Sequence, residues 1–584
     1  MPDKKPDKRI EYDFIIVGGG PSSFALAHHL LDLAIESKVK FTMAIIEKSK
    51  DFGSHIVSGA VSNLRVIKKL FPDYENKKFP IEGICDSSYF SILGNKKKWD
   101  VPRFLLPEGL KKEGAAILTL SNVVYWMYTR LKEKLTGAPN ANVQIDFFPG
   151  FSAHKVIFED KKVLGVHVSE SNEDGDENGN QVFAKVTCFG DKGFISRDII
   201  EKFKLRENPQ IWSVGVKEVW QLAPDKDFSG KVWHTLGFPL VDGSFGGGFV
   251  YGMKDHKLTI GMVISLDSKN PNINPQQRLQ DLKKHPWIQE MITGGKMLKY
   301  GAAVLPEGGY FSLPKEFSVD GAILLGDALG VLDIERLSGI DKGMESGYQA
   351  AEVLHEGLIK NNFSCEQLST YKNRVMDSFI GKELKYGRYF RYAWQENPRL
   401  LNKYLPQVMD HIDDSNAYTG LFSILATMNP FRAIIDAIRL QRLMSGYDIG
   451  KIKYSHDYQH IVPYFNQERK INVNGYVKET IYSRPDAVFF AKTKYHEGNR
   501  HIDEFNSDVC IKCIKVYDAL GKDTPCVSDC TAEVHRIDIL HGKRMHGMSL
   551  ENCIQCRTCE IVCPEVNLRV KPTSKGSGPD FMGL

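Results

Sequence analysis

Eight of the eleven cysteines crowd into the stretch from Cys510 to Cys563, and their spacing is the strongest chemical statement in the chain. Cys553, Cys556, Cys559 and Cys563, followed by Pro564, read C-x2-C-x2-C-x3-C-P. In such a run three thiolates hold one iron–sulfur cluster and the fourth reaches across to another. Cys510, Cys513, Cys526 and Cys530 read C-x2-C-x12-C-x3-C, a second copy of that logic with a longer insertion. A disulfide framework belongs to small secreted domains, and the polar, Lys-rich opening MPDKKPDKRIE lacks the apolar core of a signal peptide. A zinc site could use two C-x2-C pairs but has no need of the further thiols at these tight offsets. Two [4Fe–4S] clusters are therefore expected, with one cluster and four structural cysteines as the alternative.

A second chemical signature lies at the other end. The apolar, β-branched run Asp13 to Val17 is followed by Gly18, Gly19, Gly20, Pro21, Ser22 and Ser23, and then by the helix-forming FALAHHLLDLA. A strand, a glycine turn and a helix N-terminus present backbone N–H groups and a positive dipole end to a pyrophosphate. A further apolar strand, Phe41 to Ile46, ends in Glu47, whose carboxylate suits the ribose hydroxyls of an ADP moiety. Ser23 stands where the fingerprint has its third glycine, which predicts a slightly looser approach of helix to strand. Gly246, Gly247 and Gly248 have no helix-forming segment after them and read as a glycine-bearing strand or hairpin. With one dinucleotide fold there is no obvious seat for a nicotinamide, so the cofactor is expected to be FAD.

These signatures must be carried by several units, because 584 residues exceed a single core. Composition is globular, 42% hydrophobic and 25% charged, and a net charge of +4 is too small to argue for nucleic acid. No run of about 18 uncharged apolar residues predicts a membrane-spanning helix. Val163 to Lys185 reads as a hairpin with an acidic tip, Ser121 to Leu135 as a helix, and Gly190 to Gly193 as a turn near the cofactor. Leu384 to Ile452 is expected to be mostly helical. Its segment GLFSILATMNPFRAIIDAIRLQRLM suits either packing on the flavin unit or lying on a bilayer with Arg432, Arg439 and Arg442 at the headgroups. A polar linker is expected between about 460 and 500.

Late in the chain AILLGDALG (Ala322 to Gly330) and the helical GIDKGMESGYQAAEVL resemble the single-Rossmann flavoproteins. That resemblance implies that Gly326 and Asp327 lie by the ribityl and pyrophosphate and that the helix beginning at Gly339 and Ile340 points at the isoalloxazine. Together with GSHIVSGA (Gly53 to Ala60), LGFPL (Leu236 to Leu240), GGGFVYG (Gly246 to Gly252), the segment Asn270 to Pro286, the pattern from Gly294 to Lys315 and the terminal GPDFMGL, the chain resembles the electron-transfer flavoprotein:ubiquinone oxidoreductases. The resemblance runs through nearly the whole chain.

It implies Lys48, Ser58 and Gly59 as further cofactor contacts, and one [4Fe–4S] cluster on Cys530, Cys553, Cys556 and Cys559. The added Cys510, Cys513, Cys526 and Cys563 make up a second set. Two other departures are DIERLSGIDK (Asp333 to Lys342) and Ala303, where the family commonly has Arg. The implied activity passes electrons from reduced electron-transfer flavoprotein through clusters and FAD to a membrane quinone, with no side chain acting as acid, base or nucleophile. The quinone is expected along Leu236 to Tyr251 or the helical region after Leu400. The implied location is peripheral: the cytoplasmic face of a bacterial inner membrane, or the matrix side of the mitochondrial one in a eukaryote.

The fold expected is α/β plus α+β. A Rossmann-like FAD-binding unit (1–150 and 300–360) carries an inserted sheet-containing quinone or substrate unit (151–299). A helical region and linker (361–500) and a ferredoxin-like iron–sulfur unit (501–584) follow. Two rival readings are a geranylgeranyl-reductase-like flavoprotein that reduces isoprenoid double bonds and an electron-relay subunit of a larger complex.

Overall fold

The computed structural model describes residues 10–414 and 473–584, except 140–141, 170–179, 269, 397–399, 498 and 574; between them it describes 435 and 438 alone. The amphipathic segment with Arg432, Arg439 and Arg442 therefore lies outside the described residues, as does the acidic hairpin tip.

The β-branched run near the N-terminus forms the strand Ile10–Val17, the centre of an eight-stranded sheet. Phe41–Glu47 flanks it in parallel on one side and Asn180–Phe189 on the other, with Val143–Pro149 and Ala322–Leu324 beyond them. Parallel strands buried on both faces call for continuous apolar runs, and Phe14, Ile15 and Ile16 are each fully buried. The helix Pro21–Ser37 follows the first strand and packs against Ile340–Lys360. Gly347 permits that contact, since a Cβ there would stand 2.0 Å from the Ser22 carbonyl oxygen.

The second sheet has seven strands in the order Lys296–Pro306, Trp212–Gln221, Lys257–Ser265, Gly246–Met253, Lys231–Gly237, Ser87–Leu93 and Lys98–Asp100. The glycine triplet lies in a strand, as its flanks predicted. The fully buried pair Lys283–Glu218, at 2.9 Å, ties the helix Pro275–Lys284 to this sheet.

Sequence alone misdrew the unit boundaries. Residues 152–169 and 180–189, assigned to the inserted unit, complete the first sheet, because Asn180–Phe189 pairs in parallel with Ile10–Val17. Residues 87–100, assigned to the flavin unit, extend the second sheet through Ser87–Leu93. Period-two patterning marks a strand but not its partner, and here the partners lie far along the chain. Within the segment read as a linker, the described residues pack on the rest of the chain: Arg484–Phe489 is a helix, and Ala487 and Ala491 are fully buried in the second core.

The C-terminal region pairs Ile502–Glu504 with Leu568–Val570 and adds a hairpin, His535–Leu540 with Lys543–Met548, and the helices Ser507–Ala519, Pro525–Ser528 and Thr558–Val562. It is fused to the rest. The Tyr300 hydroxyl donates to the Thr531 carbonyl at 2.7 Å, and the Val304 N–H donates to the Cys556 carbonyl at 3.0 Å. The terminal Phe581 and Leu584 press on Gly301, where a Cβ would come within 2.4 Å of Leu584.

Candidate functional site

Between the two sheets lies a cavity of about 740 Å³, in the upper part of the roughly 300–1,000 Å³ range of ligand pockets. Of the residues expected to hold the cofactor, Gly18, Gly20, Pro21, Ser22, Glu47, Lys48, Ser58, Gly59, Gly326, Asp327, Gly339 and Ile340 all line it. Chain segments more than 300 residues apart meet there because the first strand, the Ala322–Leu324 strand and two helix N-termini end at the same edge.

Ser23 does not line the cavity. It is fully buried, and its hydroxyl donates to the Gly18 carbonyl at 2.5 Å. That bond ties the start of the helix back to the turn at the end of the first strand. Gly18 takes φ +91°, and a Cβ there would lie 2.7 Å from the Gly190 carbonyl oxygen; the Gly190–Gly193 turn thus abuts the first one. A Cβ on Gly20 would meet nothing within 4 Å. That open cradle at a helix N-terminus fits a pyrophosphate. The Glu47 carboxylate accepts from the Gly19 N–H at 2.7 Å and the Ser49 N–H at 2.8 Å, which fixes it at the end of its strand. Asp327 lies 3.7 Å from the Lys192 ammonium.

Beyond the dinucleotide end, the second sheet forms a wall. Its cross-strand register aligns Ala303, Gly215, Val263 and Gly247, four small or apolar residues that line the cavity. The next row aligns Lys217, Gly261, Phe249 and His234. The Phe249 ring lies over Gly261, where a Cβ would come within 2.2 Å of it. Lys217 donates to the Ser58 carbonyl at 2.9 Å, and burial lowers its ammonium pKa to about 8. His234 is 3.1 Å from the Tyr251 hydroxyl; burial and the Lys112 charge keep it neutral, with a pKa of about 3. Leu236, Phe249 and Tyr251 line the same cavity as Phe390, Trp394, Leu401 and Leu405, so the two regions expected to receive a quinone border one space.

Composition and spacing did not point to Lys217 and His234; the alternation of the Trp212–Gln221 and Lys231–Gly237 strands was the available signal. The DIERLSGIDK departure folds into an ion network. Lys342 is fully buried, its ammonium 2.7 Å from Glu383, and Arg65 joins Glu383 to Asp341.

Gln555, Cys556 and Arg557 also line the cavity, next to Lys48 and the Gly190–Gly193 turn. Lys48 hydrogen-bonds the Gln555 side chain, and burial holds its ammonium pKa down to about 8. Arg557 donates to the Lys192 carbonyl at 2.7 Å and pairs with Glu560 at 3.0 Å. The eight cysteines separate into two groups. Cys559 sits in the field of Cys556, Cys530 and Cys553, and Cys526 in that of Cys563, Cys513 and Cys510. Spacing and resemblance predicted this same partition. No cysteine forms a disulfide.

Both groups are ringed by donors. Val534 N–H points at Cys530 (3.2 Å), Gln555 N–H at Cys553 (3.3 Å) and the Thr531 hydroxyl at Cys556 (3.4 Å). In the second group Asn567 directs its N–H at Cys563 (3.2 Å) and its side-chain amide at Cys510 (3.1 Å). Donors aimed at sulfur suit thiolates, and the donor set fits an iron–sulfur cluster at each group. Burial pushes the Cys510 thiol up to about 12 and the Cys559 thiol well above its usual value, so metal binding must displace the protons. Beside the second group, Cys526, His535 and His546, and likewise Glu504, Cys510 and His546, come close enough to share an ion.

Residues 212–305 match the family described as "ETF-QO, ubiquinone-binding". That span contains the small-residue row and the row with Lys217 and His234. Over 98% of its length the chain is similar to three proteins named electron transfer flavoprotein-ubiquinone oxidoreductase. They are the mitochondrial protein of Arabidopsis thaliana (29% identical, 84% of that protein), a probable one of Acinetobacter baylyi (26%, 99%) and the human mitochondrial protein (28%, 89%). Among solved structures, a geranylgeranyl bacteriochlorophyll reductase-like protein of Thermoplasma acidophilum aligns with a TM-score of 0.52 at 17% identity, over 74% of this chain and 100% of that one. At that identity the likeness is one of fold.

Proposed function

We propose, for a chain similar over 98% of its length to proteins named electron transfer flavoprotein-ubiquinone oxidoreductase, the activity those names describe: moving electrons from reduced electron-transfer flavoprotein to a quinone. One observation carries the reading. A single cavity is bordered by the glycine turn, by a flat wall of small residues and by Cys556 of a four-cysteine group, so groups that carry electrons can be held side by side. Bound FAD would supply a two-electron store and each [4Fe–4S] cluster a one-electron relay. The chain's part is to hold and shield them. The free backbone N–H groups of Gly20 and Ser22 would meet the pyrophosphate and Glu47 the ribose, and Ser58, Gly59, Gly339 and Ile340 would border the ring. Ala303, Gly215, Val263 and Gly247 leave room for a flat quinone head, and Phe390, Trp394, Leu401 and Leu405 form the apolar approach.

The cysteines Cys530, Cys553, Cys556 and Cys559 hold one cluster in this reading and Cys510, Cys513, Cys526 and Cys563 a second, in a C-terminal unit of ferredoxin-like type. Iron and acid-labile sulfide near eight each per chain support two clusters; near four each refutes the second. The protein is a peripheral membrane protein, on the cytoplasmic side in a bacterium or the matrix side in a mitochondrion. Among the described residues no helix is long and apolar enough to cross a membrane. Flotation with anionic vesicles tests the attachment, and absence from the vesicle fraction refutes it.

The activity is tested anaerobically with reduced electron-transfer flavoprotein and a short-chain quinone. Quinone reduction supports the reading; saturation of a prenyl lipid without quinone turnover, or activity only with further subunits, overturns it.

A further inference from the structure

The two cysteine groups are not equivalent in their surroundings. Cys530, Cys553 and Cys559 are 5, 6 and 7% exposed, and Cys556, the member less fully covered, lines the flavin cavity. Tyr300 and Tyr495 are packed over this inner group; Tyr495 donates to the Cys553 carbonyl at 2.5 Å and stacks on His501. The outer group has no residue on that cavity. Cys510, Cys513, Cys526 and Cys563 are all partly exposed and line a separate, smaller pocket. The backbone beside that pocket carries Phe505, 60% exposed and bonded through its N–H to Asn567, and Val566, 75% exposed and bonded likewise to Cys563.

The groups are also joined at short range. Cys526 and Cys530 flank the end of the helix Pro525–Ser528, and Cys559 and Cys563 the end of Thr558–Val562, so each pair lies four residues apart with one cysteine in each group. Four residues of chain reach at most about 14 Å. The fold thus sets three stations in series: surface pocket, inner group, cavity.

We propose that the outer group, Cys510, Cys513, Cys526 and Cys563, is the port at which single electrons arrive from the protein donor, and that the inner group is reached through it. The proposal rests on the functional reading above. At the port the donor is oxidised by one electron and the outer centre reduced by one; no bond is made or broken and no proton need move. A chain with the inner group alone must bring its donor to a centre that here is covered by Tyr300 and Tyr495. The outer group removes that requirement by carrying the electron to the surface.

The test uses the full-length holoprotein. Rapid-freeze spectroscopy after mixing with reduced electron-transfer flavoprotein should show the outer centre reduced before the inner one. Cys513→Ser should retain flavin and about four iron atoms while the fast phase of reduction by the donor is lost. Unchanged reduction by the donor in that variant, simultaneous appearance of both centres, or zinc instead of iron at the outer site overturns the port. A second measurement does not depend on any variant folding or on the donor. An added paramagnetic lanthanide chelate should broaden the outer centre's signal more than the inner one, and equal broadening overturns the proposal. A wild type that electron-transfer flavoprotein cannot reduce defeats the functional reading instead, and the broadening still decides the position of the port.

Discussion

The inner and outer cysteine groups are built from nearly the same motif, yet one is largely buried in the core of the second sheet and the other, with Cys526 and Cys563 packed against that core, lies partly exposed at its edge. Cys530, Cys553 and Cys559 pack among Val214, Tyr300 and Ala302, whereas the outer group is bordered by exposed Lys512, Glu565 and Val566. Ligand spacing specifies that a centre can form. What packs over it sets how much water and charge it meets, and therefore its potential and its reach to partners. The cavity lies on the shielded side of this divide, and its own polar groups register the same shielding.

The largest test of that contrast removes one ligand from each group. Cys559→Ser should abolish quinone reduction, lose about four iron atoms and lower the thermal midpoint, because the inner site is part of a core. Cys513→Ser should lose as much iron with little change in the midpoint. Equal thermal effects would break the contrast. Next in size, Arg557→Ala leaves Glu560 with Arg197 as its remaining ion-pair partner where the inner group meets the flavin side, at a cost of about 2 kcal/mol by denaturant unfolding. The smallest effect is a pH slope. Burial raises the pKa of Glu307, a cavity carboxyl 1% exposed, from 4.5 to about 7, against the opposing charge of Arg391 and the Ser213 hydroxyl. The native state thus keeps a proton that the unfolded chain releases, so this contribution is whole below pH 4.5 and is lost as pH rises through about 7. Glu307→Gln should flatten that slope and raise stability at pH 8 by about 2 kcal/mol. An unchanged slope would place Glu307 in water and blur the divide.

Much of the site was legible because its chemistry is local. A glycine turn between Val17 and Phe24 and a carboxylate ending the next strand are fixed by neighbours in sequence. Reading strands without partners failed at the unit boundaries: Asn180–Phe189 and Ser87–Leu93 each joined the sheet they had not been assigned to. Lys217 and His234 escaped notice for a related reason. Within their own strands they read as ordinary alternating residues, and only the register across four strands brings them onto one face.

The cysteine stretch shows both sides of this division. The sequence by itself showed eight thiols at ligand spacing, because offsets of two and three residues are properties of a single turn of chain, and the family resemblance implied how they divide into two sets of four. The tertiary structure alone decided that one group lies against the flavin cavity and the other at the surface. Burial is a sum over atoms brought in from distant segments, here Tyr300, Tyr495 and the C-terminal Phe581, and no local spacing encodes that sum.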